Sequence, residues 1–262
     1  MRAGIILVCS IGIGGCIAQT GGSTVQFPVA ASGPTDAISG QPLSFTSGGW
    51  DVVLTQASLH VGAVYLDQSK SISGGQATGC YLTGTYLAQE TSSLDVDLLD
   101  PAPQAFPASA LGITEPPVLV GQVWLTGGDV NAASDPTPIL TIAGTATQSG
   151  ATFPFTGTVT IDSNRKPSGG GTGGGDPICK QRIVTPIPAR LTILTSGGLL
   201  LRIDPRFFFI NVDFSKLPPD ASTGGYAFGD DPVAPGYAPT GQNLYADLRS
   251  IAPYTFSWSD AL

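Results

Sequence analysis

Hydrophobic and polar residues alternate with a period of two along much of this chain, the signature of strands with one buried face. In GWDVVLTQASLHVGAVYLDQ, Trp50, Val52 and Leu54 share one parity, while Ala57, Leu59, Val61, Ala63 and Tyr65 share the other. A strand that keeps one face buried cannot change parity without an inserted residue. The pattern therefore predicts a β-bulge or sharp bend near Gln56. SLDVDLLDP alternates cleanly, with Leu94, Val96 and Leu98 inward and Asp95 and Asp97 outward. PVLVGQVWLTGG is apolar on both parities and predicts a central strand or one covered on both sides. ILTIAGTATQSGATFPFTGTVTID predicts a hairpin turning at Ser149-Gly150.

Further elements follow from the same reading. VQFPVAASG predicts a short first strand, placed at an edge by Pro28. CYLTGTYLAQ and YTFSWS predict strands, the latter with Phe256 and Trp258 on one face. ARLTILTSGGLLLRIDP predicts a second hairpin. RFFFINVDFSKL predicts a strand with Phe208, Ile210, Val212 and Phe214 inward and Phe207, Phe209, Asn211 and Asp213 outward. One helix is expected at NLYADLRSI, where Leu244, Leu248 and Ile251 recur at helical spacing and Pro253 ends the run. Many short strands, glycine turns and one short C-terminal helix predict an all-β fold: an antiparallel β-sandwich or barrel-like domain.

Composition narrows the picture. Charged residues are 11% and hydrophobic residues 42% of the 262 residues, enough apolar matter for a sizeable core. The net charge of −8 and pI near 4.3 argue against a nucleic-acid partner and against electrostatic binding to anionic lipid. SNRKPSGGGTGGGDP, residues 163–177, reads as a flexible Gly-rich loop within one domain rather than a phosphate-binding loop, because no Lys-Ser/Thr or helix follows it.

The start of the chain carries a positive residue, Arg2, an apolar run and small residues, the layout of a secretory signal. The run is shorter than the roughly 20 apolar residues a membrane helix needs. Ile13-Gly14-Gly15-Cys16 resembles the lipobox of bacterial lipoproteins, with Ile13 where that family usually has Leu. The resemblance covers only about the first twenty residues and implies nothing about the body of the chain. It implies a signal peptide at 1–15 and diacylation of Cys16 as the first mature residue; composition and strand pattern add a tether at 16–24 and one β-rich domain at 25–262. Ile17 is not the Asp that retains such proteins in the inner membrane, so the outer membrane is expected. The competing reading is ordinary cleavage after Ala18, giving a periplasmic or secreted protein. Either way Cys9 and Cys16 leave the thiol count, and Cys80 and Cys179 remain as an expected disulfide of an oxidising compartment.

Candidate chemistry is sparse. His60, the only histidine, is expected on the solvent face, opposite in parity to Leu59 and Val61. A Ser-His-Asp triad would have to use it, and no G-x-S-x-G elbow accompanies the serines. One histidine beside a cysteine pair does not supply a zinc site, and no cofactor is expected. Asp95, Asp97 and Asp100 are weak calcium candidates, as is the loop pair Asp230-Asp231. Phe207 and Phe209 are candidate ligand-binding residues, an outward aromatic platform for a sugar. The function expected is a non-catalytic, lipid-anchored envelope protein with a binding or structural role and an envelope protein or glycan as partner. The alternatives are a carbohydrate-binding accessory protein and, less favoured, a hydrolase using carboxylates such as Glu90, Asp95 and Asp97.

Overall fold

The computed structural model describes residues 22–68, 86–115, 117–125, 137–160, 182–228 and 239–262. Cys16, Cys80, Cys179, Asp230, Asp231, the signal segment and the Gly-rich stretch 163–177 lie outside these residues. The described chain is mostly strand, in sheets of antiparallel and mixed pairing with a single short helix. The fold is sandwich-like, and among the described residues no sheet closes into a barrel.

The six-stranded sheet has the order β1 (Thr24–Phe27), β9 (Ala110–Ile113), β6 (Tyr86–Glu90), β5 (Ala63–Asp67), β10 (Val118–Trp124), β13 (Arg182–Leu191). The seven-stranded sheet runs β15 (Pro219–Asp220), β16 (Gly225–Phe228), β12 (Ala151–Thr160), β11 (Pro138–Gln148), β4 (Trp50–Val61), β3 (Leu43–Ser47), and β7 (Leu94–Asp97) also pairs with β4. The four-stranded sheet runs β17 (Tyr254–Ser259), β14 (Gly198–Ile203), β2 (Val29–Ser32), β8 (Gln104–Ala105).

The parity change in β4 is a bulge. Gln56 pairs with Ala143 but Leu54 pairs with Gly144, so Thr55 has no partner on β11. The insertion lets Trp50, Val52 and Leu54 on one side of it, and Ala57, Leu59 and Val61 on the other, all bury the same face. At Gly62 the chain leaves this sheet. Its N–H donates to Trp124 O at 2.7 Å, and β5 continues in the six-stranded sheet. Val64 and Leu66 then face the core while Tyr65, expected inward, sits half-buried on the opposite face. Pro28 marks a similar crossing, since β1 and β2 on either side of it belong to different sheets.

The expected hairpin is β11–β12, with Ser149 and Gly150 both at positive φ (51° and 82°) in a two-residue turn. That twist matches the twist of the flanking strands. Apart from Leu119, which is exposed, β10 is buried on both faces, with Gly121 against the Phe256 ring. Leu98 and Val96 are fully buried, and Asp95 and Asp97 project outward.

Three expectations fail for identifiable reasons. Residues 206–214 form no strand. Asp204 accepts from the Arg206 N–H at 3.0 Å, and Pro205 starts a 3-10 turn over Pro205–Phe209. Asp213 likewise accepts from the Ser215 N–H at 3.1 Å and caps a second turn, Phe214–Lys216. Local side-chain bonds to the backbone outcompete the ladder. Phe208, Phe209 and Phe214 turn inward, whereas Phe207 and Ile210 are 37% and 46% exposed. The second hairpin does not form either, because β13 and β14 belong to different sheets. β14 is buried at nearly every position, and its two edges pair with β2 and β17 instead of with β13. Finally, the helix α1 spans Pro239–Leu248 and buries Leu244 and Leu248, but it stops before Ile251, which is 51% exposed. The Tyr254 hydroxyl donates to Leu248 O at 2.8 Å, so a side chain from β17 satisfies a carbonyl at the helix end.

An aromatic cluster under α1 joins the 3-10 turns to the seven-stranded sheet. Phe214 lies 5.0 Å from Phe155, 5.4 Å from Trp50 and 5.8 Å from Phe209 between ring centroids. Asp247 of α1 holds the chain between the turns, accepting the Asn211 N–H at 2.8 Å and its side-chain amide at 2.6 Å. Arg206 spans Asp204 and Asp36, at 2.7 and 2.8 Å, tying the 33–42 loop to the first turn.

Gly144→Ala should lower the unfolding free energy measured by urea titration by about 1–3 kcal/mol or more. A Cβ there would lie 2.2 Å from the main-chain oxygen of Val53, which cannot rotate away. Asp247→Ala should cost about 2 kcal/mol in the same measurement, because it strips a charged acceptor from two donors at a site 5% exposed.

Candidate functional site

The β4 bulge borders a concavity among the described residues. On the edge of β4 away from β11, β3 pairs with residues 50–54 and β7 pairs with residues 58–61. Between them no strand lies on that edge, although the Leu98 N–H reaches Ala57 O at 2.8 Å. A groove of about 440 Å³ opens there. Thr55, Gln56, Ala57 and Ser58 form its floor, Gly40, Gln41 and Pro42 one wall, and Asp97 and Leu99 the other.

Its chemistry is that of neutral hydrogen bonding. Two carboxamides, Gln41 and Gln56, and two hydroxyls, Thr55 and Ser58, line it together with one carboxylate. That carboxylate is rigidly mounted. Asp97 Oδ1 accepts from the Leu99 N–H at 2.9 Å, and the Asp97 backbone exchanges bonds with the Gln104 carboxamide at 2.8 Å in both directions. A volume in the range of small-molecule sites, with a few oriented polar groups, suits a small ligand rich in hydroxyls.

The calcium candidates do not assemble. Asp95 Oδ1 contacts His60 Nδ1 at 2.6 Å, Asp97 braces its own turn, and Asp100 Oδ1 accepts from the Ala102 N–H at 3.0 Å. Among the described residues, no group of three or more His, Cys, Asp or Glu comes together. Glu90 is buried and closed on Ser92, with Oε1 accepting from the backbone N–H at 2.9 Å and from the hydroxyl at 2.5 Å. The three carboxylates named for a hydrolase are thus engaged one by one.

His60 corrects its expected exposure. It lies on the predicted parity, directly opposite Asp95 on β7, but is only 9% exposed, and its Nε2 is buried without a partner. The pair has the orientation of an acid-held imidazole, yet no nucleophile is bonded to it. The proposed aromatic platform also breaks up. Phe209 is fully buried in the aromatic cluster, and Phe207 alone reaches solvent. A sugar platform needs both rings on one outward face, which positions i and i+2 of this 3-10 turn do not present.

A second polar constellation escaped the alternation pattern. On the face of the six-stranded sheet turned away from the main core, Tyr65 pairs across strands with Gln122, and Asp67 lies one step diagonal to it. Asp67 and Gln122 are 1% and 0% exposed, and Gln122 Nε2 donates to Asp67 Oδ2 at 2.8 Å. Tyr65 packs edge-on to Tyr86 and Trp124, each at 5.5 Å. The available signal was a Gln inside an otherwise apolar central strand, and an Asp two residues after Tyr65 in another.

No family model matches the chain, and neither the curated proteins nor the solved structures contain a significant match to it.

Proposed function

We propose that the protein is a non-catalytic binding component of the bacterial envelope, tethered by lipid on Cys16, whose groove at the β4 bulge holds a small hydroxylated ligand such as a glycan fragment. The groove lined by Gln41, Thr55, Gln56, Ser58 and Asp97 carries the binding half of this reading. Carboxamides and a fixed carboxylate are suited to the paired donors and acceptors of sugar hydroxyls. The tether rests on the Ile13-Gly14-Gly15-Cys16 motif. Two acyl chains at one site hold a protein stably at a bilayer, where a single chain binds only marginally. An acidic chain of pI near 4.3 gains little from anionic lipid, so the lipid supplies the attachment. The outer membrane is the expected location, with an envelope protein or glycan as partner. Oxidation of Cys80 and Cys179 to a disulfide belongs to the same compartment, and a count of free thiols in unreduced, denatured protein tests it.

Radiolabelled palmitate should enter the wild-type protein and not Cys16→Ser. Equal labelling of both, or a mature N-terminus at Gln19, overturns the anchor. On a glycan array the wild type should give hits that Gln56→Trp weakens by about tenfold or more, equivalent to 1.4 kcal/mol. The exposed Gln56 tolerates the larger ring while the ring fills the groove. An array without hits, or hits that Gln56→Trp leaves unchanged, rejects the groove as the binding site.

A further inference from the structure

The buried pair Asp67–Gln122 is chemically incomplete. Gln122 Nε2 donates to Asp67 Oδ2, yet Asp67 Oδ1 and Gln122 Oε1 are both buried with no partner. Both orphans are acceptors when the acid is ionised. A buried acceptor without a donor is costly, and a buried carboxylate without a counter-charge more so. No cation is set against Asp67 among the described residues. The ionisable groups around it are the phenol of Tyr65 on its own strand, the phenol of Tyr86 opposite it on β6, and Glu90 farther along β6 beside Tyr65. From β10 it meets Val120 and Gln122, neither of which ionises. The Tyr65 phenol is itself pushed up by burial and by Glu90, so it stays neutral beside the acid.

One proton repairs the pair. A carboxylic acid and a primary amide are complementary: the acid carbonyl accepts from the amide N–H, and the acid O–H donates to the amide oxygen. We propose that Asp67 stands in the folded protein as a neutral acid whose Oδ1–H donates to Gln122 Oε1, closing a cyclic acid–amide latch between β5 and β10 that opens when the proton leaves. The proton goes to solvent on opening and returns from it on closing, with no other reactant. Burial pushes the Asp67 carboxyl from the ordinary carboxylate range up to about 7, in the direction the latch requires. The sign follows from linkage. The folded state keeps a proton that the unfolded chain releases near pH 4, so stability falls as pH rises from about 4 to about 7 and levels off above that. The latch is fully closed in acid and open in mild alkali.

Urea unfolding followed from pH 5 to 9 tests the latch by comparison of wild type with Asp67→Asn. An Asn at this position can accept and donate with Gln122 at every pH. In the wild type the unfolding constant should rise by up to about tenfold per pH unit toward pH 7 and then flatten. All other ionisable groups are common to the two proteins, so the difference between them, not the raw slope, reads the latch. Asp67→Asn should lose that component of the slope and be the more stable of the two above pH 7. Carbon-13 NMR of side-chain carboxyls in the wild type needs no variant to fold. It should show one aspartate titrating near neutrality, absent from Asp67→Asn. Identical slopes in the two proteins, or an Asp67 carboxyl that titrates with the ordinary aspartates, overturns the proposal.

Discussion

The single inserted residue in β4 constrains more of this molecule than any one contact. A twelve-residue strand has to keep its apolar side chains on one face over its whole length, and the sequence changes parity midway. Thr55 takes up the mismatch by standing outside the ladder with β11. Both halves then contribute to one core, from Trp50 near the aromatic cluster to Val61 near the six-stranded sheet. The same bend splits the free edge of β4 between two partners, β3 and β7. The groove is the space between those partners, so the concavity follows directly from how the strand keeps its register.

Elsewhere the sheets are joined by segments that change sheet rather than by connections that stay within one. Gly62, Pro28 and the stretch between β13 and β14 each carry the chain across. Such crossings leave no independent layer: Phe27, Leu59, Leu66, Val123, Leu199 and Leu201 all belong to one core cluster, although they come from all three sheets. A sandwich built this way has corners that belong to both of its faces.

Period and turn chemistry made the local features legible in the sequence. The bulge near Gln56, the Ser149-Gly150 hairpin, the doubly buried β10 and the inward Val96 and Leu98 all follow from side-chain parity, which is local. The failures share a different cause. In 206–214 an alternating pattern coexisted with two capping aspartates and a proline, and the caps prevailed. That signal, Asp followed by Pro, was present in Asp204-Pro205 and was outweighed by four phenylalanines. For β13 and β14, adjacency in sequence suggested pairing, while the partner of β14 lay far away in β2. The groove and the Asp67–Gln122 pair were not legible, because each depends on which strands become neighbours. His60 lay on the predicted face, but burial of that face is a tertiary outcome.

The parallel pairing of β2 with β14 bears on how the chain reaches this state. Val29 registers with Leu199, and Arg202 donates to the Gly33 carbonyl across 169 residues of chain at 2.9 Å. β17, the last strand, completes the other side of β14. The four-stranded sheet therefore stays open until β14 is available, and β2 has only the short β8 beside it in the meantime. Closing so long a loop costs entropy before any contact rewards it, and pairings of this kind raise contact order, the feature that slows folding. Until β14 is in place β2 keeps one edge unpaired, so a nascent form lacking β14 exposes a strand edge that the finished sheet covers.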